Sequence, residues 1–149
     1  FAKALGLIMK VLAKKMAKDG EGATKLIEIE VVGAKTGDDA RKIARKVSVS
    51  NLFKCCVNGG DPNWGRLAAA AGGAGVEFNP DRTDIYIGNV KALSNGSSIK
   101  DFNRKKARAV FLKDEVPVRI DLKSGSGRAK AWTCDFSKEY VEINAEYST

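Results

Sequence analysis

Apolar residues at Phe1, Leu5, Ile8, Leu12 and Met16 recur at intervals of three or four, and the lysines at 3, 10, 14, 15 and 18 fall mostly between them. That spacing predicts an amphipathic helix over residues 1–18. The helix would begin at Phe1 with neither a cap nor an initiator methionine ahead of it, so the chain is expected to start inside a larger element. In LIEIEVVGA the period changes to two: Ile27, Ile29 and Val31 alternate with Glu28 and Glu30, which predicts a strand. Thr36 and Asp39 then have capping-box spacing and open a helix with Ala40, Ile43, Ala44 and Val47 along one side. LFKCCV is short, apolar and rich in strand formers, and reads as a strand. Asp61 is a natural N-cap and Pro62 suits a first helical position, so a helix is expected to run from there through Ala68–Ala71.

The second half follows the same logic. DIYIGNV (84–90) predicts one strand, and FNRKKARAVFLK predicts a helix with Phe102, Ala109 and Val110 inward and a basic outer face. Val116, Val118, Ile120 and Leu122 alternate with Arg119 and Asp121, and beyond the turn SGSG the runs AKAWTCDF and YVEINAEY read as two more strands. No internal repeat or low-complexity linker interrupts the pattern. Mixed elements of this kind imply a layered α/β (mixed α+β) domain, a single compact unit over residues 1–149, with the last three strands as antiparallel neighbours.

Composition narrows the chemistry. With 149 residues and 44% hydrophobic content the chain can bury a real core. It contains no histidine, which excludes Ser-His-Asp triads, Cys-His pairs and His-ligated metals within these residues. A formal charge of +8 points to acidic partners without choosing among nucleic acid, an anionic substrate and an acidic subunit. Cys55, Cys56 and Cys134 form no C-x-x-C pair and are expected to be mostly buried thiols in a reducing compartment. No apolar run approaches the ~18 residues of a membrane span, and the expected location is the cytoplasm.

Three stretches could carry chemistry. GGDPNWGR has the glycine spacing of a phosphate loop, but Arg66 and Leu67 stand where the Lys and Ser/Thr are needed, so the stretch reads as the start of a helix. In DGEGATK, Asp19 and Glu21 alternate with Gly20 and Gly22. This is either a helix C-cap at Gly20 with solvated acids, or a loop whose glycines admit a ligand while a carboxylate binds an amine or moves a proton. Lys25 could pair with either acid. RKKAR (104–108) is the strongest nucleic-acid candidate, although a charge run on a helix is usually a solvated face.

Taken in order, DGEGATKLIEIEV, NGGDPNWGR and AWTCDFSKEYVEINAEY resemble the ornithine acetyltransferase family, also called glutamate N-acetyltransferase or the bifunctional arginine-biosynthesis acetyltransferase. The likeness runs through the whole chain. It departs at Thr133, where the family usually has Gly, and at Ser137-Lys138, where it usually has a Thr-Tyr pair.

The resemblance implies two helix layers enclosing two sheet layers, as in self-processing aminopeptidases. It implies a precursor that cuts itself before a Thr, whose freed hydroxyl takes acetyl from N-acetylornithine and passes it to glutamate by a ping-pong route. The chain would then be the C-terminal portion of the β chain, with no catalytic residue of its own and the nucleophilic Thr, the oxyanion donors and a binding Lys upstream. Glu21, Asn144 and Thr149 would bind substrate, while Asp19 shapes the turn and GGDPNWGR serves architecture by packing Trp64. Partners would be the α chain and the rest of the β chain in an α2β2 or larger assembly, with no nucleic acid and no membrane; a fungal member would sit in the mitochondrial matrix. No metal or cofactor is required, because an N-terminal Thr can use its own α-amine as base. On this reading the isolated chain is inactive. The rival reading is a basic nucleic-acid-binding α/β module without catalysis, which a steep salt dependence of DNA or RNA binding would reveal.

Overall fold

Alternating strands bury one face only if their registers agree, and here they do. A computed structural model describes residues 1–147. Its elements in chain order are α1 (Ala2–Lys18), β1 (Leu26–Ala34), α2 (Gly37–Ser48), α3 (Asn51–Asn58), α4 (Trp64–Gly72), β2 (Asp84–Ile87), β3 (Val90–Ser94), β4 (Ser97–Ser98), α5 (Arg104–Phe111), β5 (Glu115–Asp121), β6 (Gly127–Cys134) and α6 (Lys138–Glu146). The strands form one sheet in the order β4-β3-β2-β5-β1-β6. β1 runs parallel to β5, pairing Ile27 with Val116, Ile29 with Val118 and Val31 with Ile120. β2 is antiparallel to β5 and sets Ile85 beside Ile120 and Ile87 beside Val118. β6 runs antiparallel along the other side of β1, with Ala131 opposite Ile29 and Ala129 opposite Val31.

The apolar side chains therefore share one face, and helices cover it. Ala40, Ile43, Ala44 and Val47 of α2, Leu67 and Ala71 of α4, and Ala107 and Phe111 of α5 join the strand residues in one continuous core. Each fully buried Ile, Val, Leu or Phe contributes roughly 1.5–3 kcal/mol, so this face carries the stability of the fold. Thr36 caps α2 as its spacing predicts: its hydroxyl accepts from the Asp39 N–H at 3.1 Å and donates to the Asp39 carboxylate at 2.8 Å.

The opposite face of the sheet is polar. Glu28 on β1 accepts hydrogen bonds from Lys130 (2.7 Å) and from the Trp132 indole (2.8 Å), both on β6. Lys14 of α1 reaches the same carboxylate at 3.1 Å and lies over the Trp132 ring. The helix thus forms where the periodicity places it, but it meets the sheet through Lys14. Its apolar row stays in the open, with Ile8 57% and Leu12 53% exposed, because no described element covers it.

Several expectations need correction. LFKCCV lies in helix α3, whose N-cap Ser50 accepts from the Phe53 N–H. Its buried residues Phe53, Cys56 and Val57 fit helical as well as strand spacing. YVEINAEY belongs to helix α6, opened by Ser137, and none of that helix's residues is buried. Residues 84–90 divide into β2 and the start of β3, a hairpin turning at Gly88 (φ +57°). The last strands are not neighbours, since β1 separates β5 from β6.

Asn63, not Asp61, caps α4, accepting from the Arg66 N–H at 3.3 Å. The inward residues of α5 are Ala107 and Phe111, while Phe102 and Val110 are half-buried and Ala109 is exposed. Cys55 is exposed, and only Cys56 is fully buried. The mixed α/β class holds, and of the two sheet layers implied by the resemblance the described residues supply one.

Burial works against the Glu28 carboxylate, but hydrogen bonds from Lys130, Trp132 and Lys14 outweigh it and bring its pKa from 4.5 to about 2. A carboxyl depressed on folding stabilises the native state above its unfolded pKa, and the benefit disappears as pH falls through the folded value. Denaturant unfolding at a series of pH values should show stability falling between pH 4.5 and about 2, and Glu28→Gln should flatten that decline.

Candidate functional site

The DGEG loop joins the end of α1 to the start of β1. Asp19 ends the helix, its N–H returning to the Lys15 carbonyl at 3.0 Å, and the Ala23 N–H closes a turn onto the Gly20 carbonyl at 3.0 Å. Gly22 has φ +63°, a conformation disfavoured for any side chain, and a Cβ there would lie 2.6 Å from the Tyr140 nitrogen. The glycine is therefore required twice, by its dihedral and by the close approach of α6. The loop turns tightly and leaves the Glu21 side chain exposed.

α6 meets this loop through its N-terminus. The Ser137 hydroxyl donates to the Gly22 carbonyl at 2.6 Å and accepts from the Tyr140 N–H at 3.3 Å, so one side chain both caps the helix and grips the loop. Asn144 then reaches back: its Nδ2 donates to Glu21 Oε2 at 2.9 Å and to the Tyr140 carbonyl at 2.9 Å. Two residues nominated at opposite ends of the chain, 123 positions apart, are thus in direct contact. Thr149, the third nominated residue, lies outside the described residues. Both Glu21 and Asn144 are exposed, and the described residues give them no enclosing wall.

Beneath the loop lies a carboxylate that the sequence pattern does not single out. Asp135 is 2% exposed. It accepts at Oδ1 from the N–H groups of Thr24 and Lys25, each at 2.8 Å, and at Oδ2 from the Thr24 hydroxyl and from Asn58 Nδ2 at 2.7 Å. Burial opposes its charge, but the donors of Asn58, Thr24 and Lys25 prevail and hold it below the usual carboxylate range. Lys25 pairs with neither Asp19 nor Glu21. Its ammonium donates to the carbonyls of Val57 and Asn58 at 2.9 and 2.8 Å, at the carbonyl end of α3. The available sequence signal was Ser137 with Glu139 two residues on, a helix start that would have placed Asp135 at its threshold.

The other candidate stretches take structural parts. Asp61 of GGDPNWGR pairs with Arg104 of the RKKAR run, while Lys105, Lys106 and Arg108 are exposed. Trp64 is half-buried against the core. Burial pushes the Cys56 thiol up to about 11, so it is a poor nucleophile. Among the described residues no group of three His, Cys, Asp or Glu side chains could hold a metal ion, and no helix is long and apolar enough to cross a membrane.

The ArgJ family model matches residues 1–149. The chain is 46% identical over 149 residues to the arginine biosynthesis bifunctional protein ArgJ of Dehalococcoides mccartyi, covering 100% of this chain and 36% of that protein. The Geobacillus stearothermophilus protein of the same name gives the same figures. The crystal structure of the arginine biosynthesis bifunctional protein ArgJ from Bacillus halodurans superimposes with a TM-score of 0.93 at 42% identity, over 97% of this chain and 68% of that one. The chain therefore spans a little over a third of the length of the curated relatives it matches.

Ser137 both caps α6 and holds the DGEG loop, and that part needs only a hydroxyl. Ser137→Ala should lower stability by about 1 kcal/mol through the lost cap, whereas Ser137→Thr should stay within about 0.5 kcal/mol of the parent. Chemical denaturation of the three proteins checks this.

Proposed function

The chain belongs to the ArgJ family, and on that basis we propose that it forms part of an acetyltransferase carrying acetyl from N-acetylornithine to glutamate. The nucleophile is a Thr outside these residues, freed by self-cleavage of a precursor, and this chain supplies a portion of the β chain, working with an α chain and the remainder of the β chain. The Thr hydroxyl attacks the acetyl carbonyl, its proton passes by way of the Thr α-amine to the departing ornithine amine, and the acetyl-Thr ester is then resolved by the amine of glutamate. No histidine or metal is needed for these steps.

The observation that carries the reading is the hydrogen bond between Asn144 and Glu21. Asn144 occupies Oε2, and among the described residues Oε1 accepts nothing, so a negative oxygen stands exposed beside an amide that can also accept. A carboxylate and an amide at that distance suit the ammonium and carboxylate ends of an amino-acid substrate. Because a small-molecule site is concave, the facing wall comes from the rest of the polypeptide. Thr149, with its hydroxyl, is the third binding residue in this reading.

In a complete enzyme, Glu21→Gln keeps volume and removes charge, and turnover of N-acetylornithine should fall about 100-fold with little change in stability. Asp19→Asn should leave turnover within about 3-fold, since Asp19 closes the helix through its backbone N–H. The opposite pattern would place the substrate-binding acid at Asp19 and defeat the assignment. The 149-residue chain assayed alone should be inactive; robust turnover, with acetyl found covalently on one of its own residues, would locate the nucleophile here and overturn the proposal.

A further inference from the structure

The Glu21–Asn144 pair joins two segments that are each attached to the same short stretch, residues 135–137. Ser137 starts α6 and holds the Gly22 carbonyl, on one side of the pair. Asp135 holds the two amides of Thr24 and Lys25, where the DGEG loop enters β1. The same carboxylate takes the Asn58 side-chain amide, and the Asn58 main-chain carbonyl in turn holds the Lys25 ammonium. These bonds close a circuit through the loop, the end of α3 and the approach to α6. No buried side-chain nitrogen or oxygen among the described residues lacks a partner.

We infer that Asp135 is a positioning residue for the Glu21–Asn144 pair: it touches no substrate, and it acts by locking the DGEG loop and the start of α6 into one frame. The inference rests on the reading of Glu21 as a substrate-binding carboxylate. A loop with two glycines in four residues does not hold a side chain still by itself, because glycine leaves the backbone its full freedom. The frame must come from outside the loop. Asp135 supplies it with four hydrogen bonds to residues 77 to 111 positions away in sequence. A displacement of about 1 Å at a substrate-binding group can cost about 100-fold in rate, so such a frame bears on turnover as well as on stability.

Asp135→Asn is the informative change, because it preserves shape and inverts one hydrogen bond. The Oδ1 contacts survive, the Thr24 hydroxyl can rotate to accept, and the new amide faces the amide of Asn58, donor against donor. In the complete enzyme kcat/KM for N-acetylornithine should fall by about 10-fold or more. Backbone hydrogen exchange should speed up in both 19–25 and 138–146, the segments that carry the pair. Adding Asn58→Asp to Asp135→Asn restores a donor facing an acceptor and should recover most of both effects.

In a Glu21→Gln background, Asp135→Asn should cost less than about 3-fold, since the group it positions is already disabled. An equal loss in both backgrounds would mark Asp135 as a general structural residue and overturn the inference, as would unchanged exchange in the two segments. Should Asp135→Asn fail to fold, Asn58→Ala removes a single donor and is expected to move the same readouts in the same direction; no movement overturns the inference. If Glu21→Gln leaves turnover intact while exchange at 19–25 and 138–146 still accelerates in Asp135→Asn, the substrate reading of Glu21 fails and the frame itself stands.

Discussion

A carboxylate withdrawn from water must have its lone pairs answered, or the fold that buried it will not form. Asp135 sits under that constraint, and much of its neighbourhood can be read as the answer. Thr24 contributes both its amide and its hydroxyl, Lys25 its amide, and Asn58 its side chain. The three contributors come from the entry to β1 and the end of α3, so satisfying one charge draws distant parts of the chain to one point. The Lys25 ammonium is carried there with them and closes the carbonyl end of α3. Once these bonds exist, α6 has one place to begin, and the loop ahead of β1 has one path to follow.

The sheet divides the molecule by chemistry. Its apolar face, built on the registry of β1 with β5, is sealed by α2, α4 and α5 and supplies cohesion. Its polar face holds locally paired charges: Glu28 with Lys130 at 2.7 Å and Lys14 at 3.1 Å, and the buried Asp84 with Lys91 and Lys123 at 2.7 Å. The formal charge of +8 already counts these carboxylates, so the pairing localises charge without lowering the excess. The candidate site belongs to neither face. It sits ahead of the start of β1, on a rim where loops are gripped by side chains rather than by packing.

How much of this was legible in the sequence depended on the range of the interaction responsible. β1 and β5 were readable because apolar and polar positions alternate through residues 27–31 and 115–121, and α2 because Thr36 and Asp39 cap it three positions apart. LFKCCV was not, because a six-residue apolar run satisfies both periods and the decision came from the Ser50 cap and the surrounding core. YVEINAEY misled for a related reason: an exposed helix has no buried face to reveal its period, leaving Ser137 and the first-turn acid Glu139 as the local signals. Sheet order lay beyond local reading, since β6 passes β5 to reach the far side of β1. Glu21 and Asn144 were nominated through resemblance alone, and their contact is a tertiary fact. Asp135 was one acid among 18, distinguished only by partners as many as 111 positions away.

The uncovered row on α1 sets how this polypeptide behaves in a test tube. Leu5, Ile8, Leu12 and Met16 face outward on a helix that also carries lysines at 3, 10, 15 and 18. At low ionic strength the excess positive charge keeps copies apart. Near 0.15 M salt the Debye length shrinks to about 8 Å, mutual repulsion weakens, and the sticky stripe is free to find its like. For this chain in isolation, salt concentration is thus a colloidal variable before it is a biochemical one.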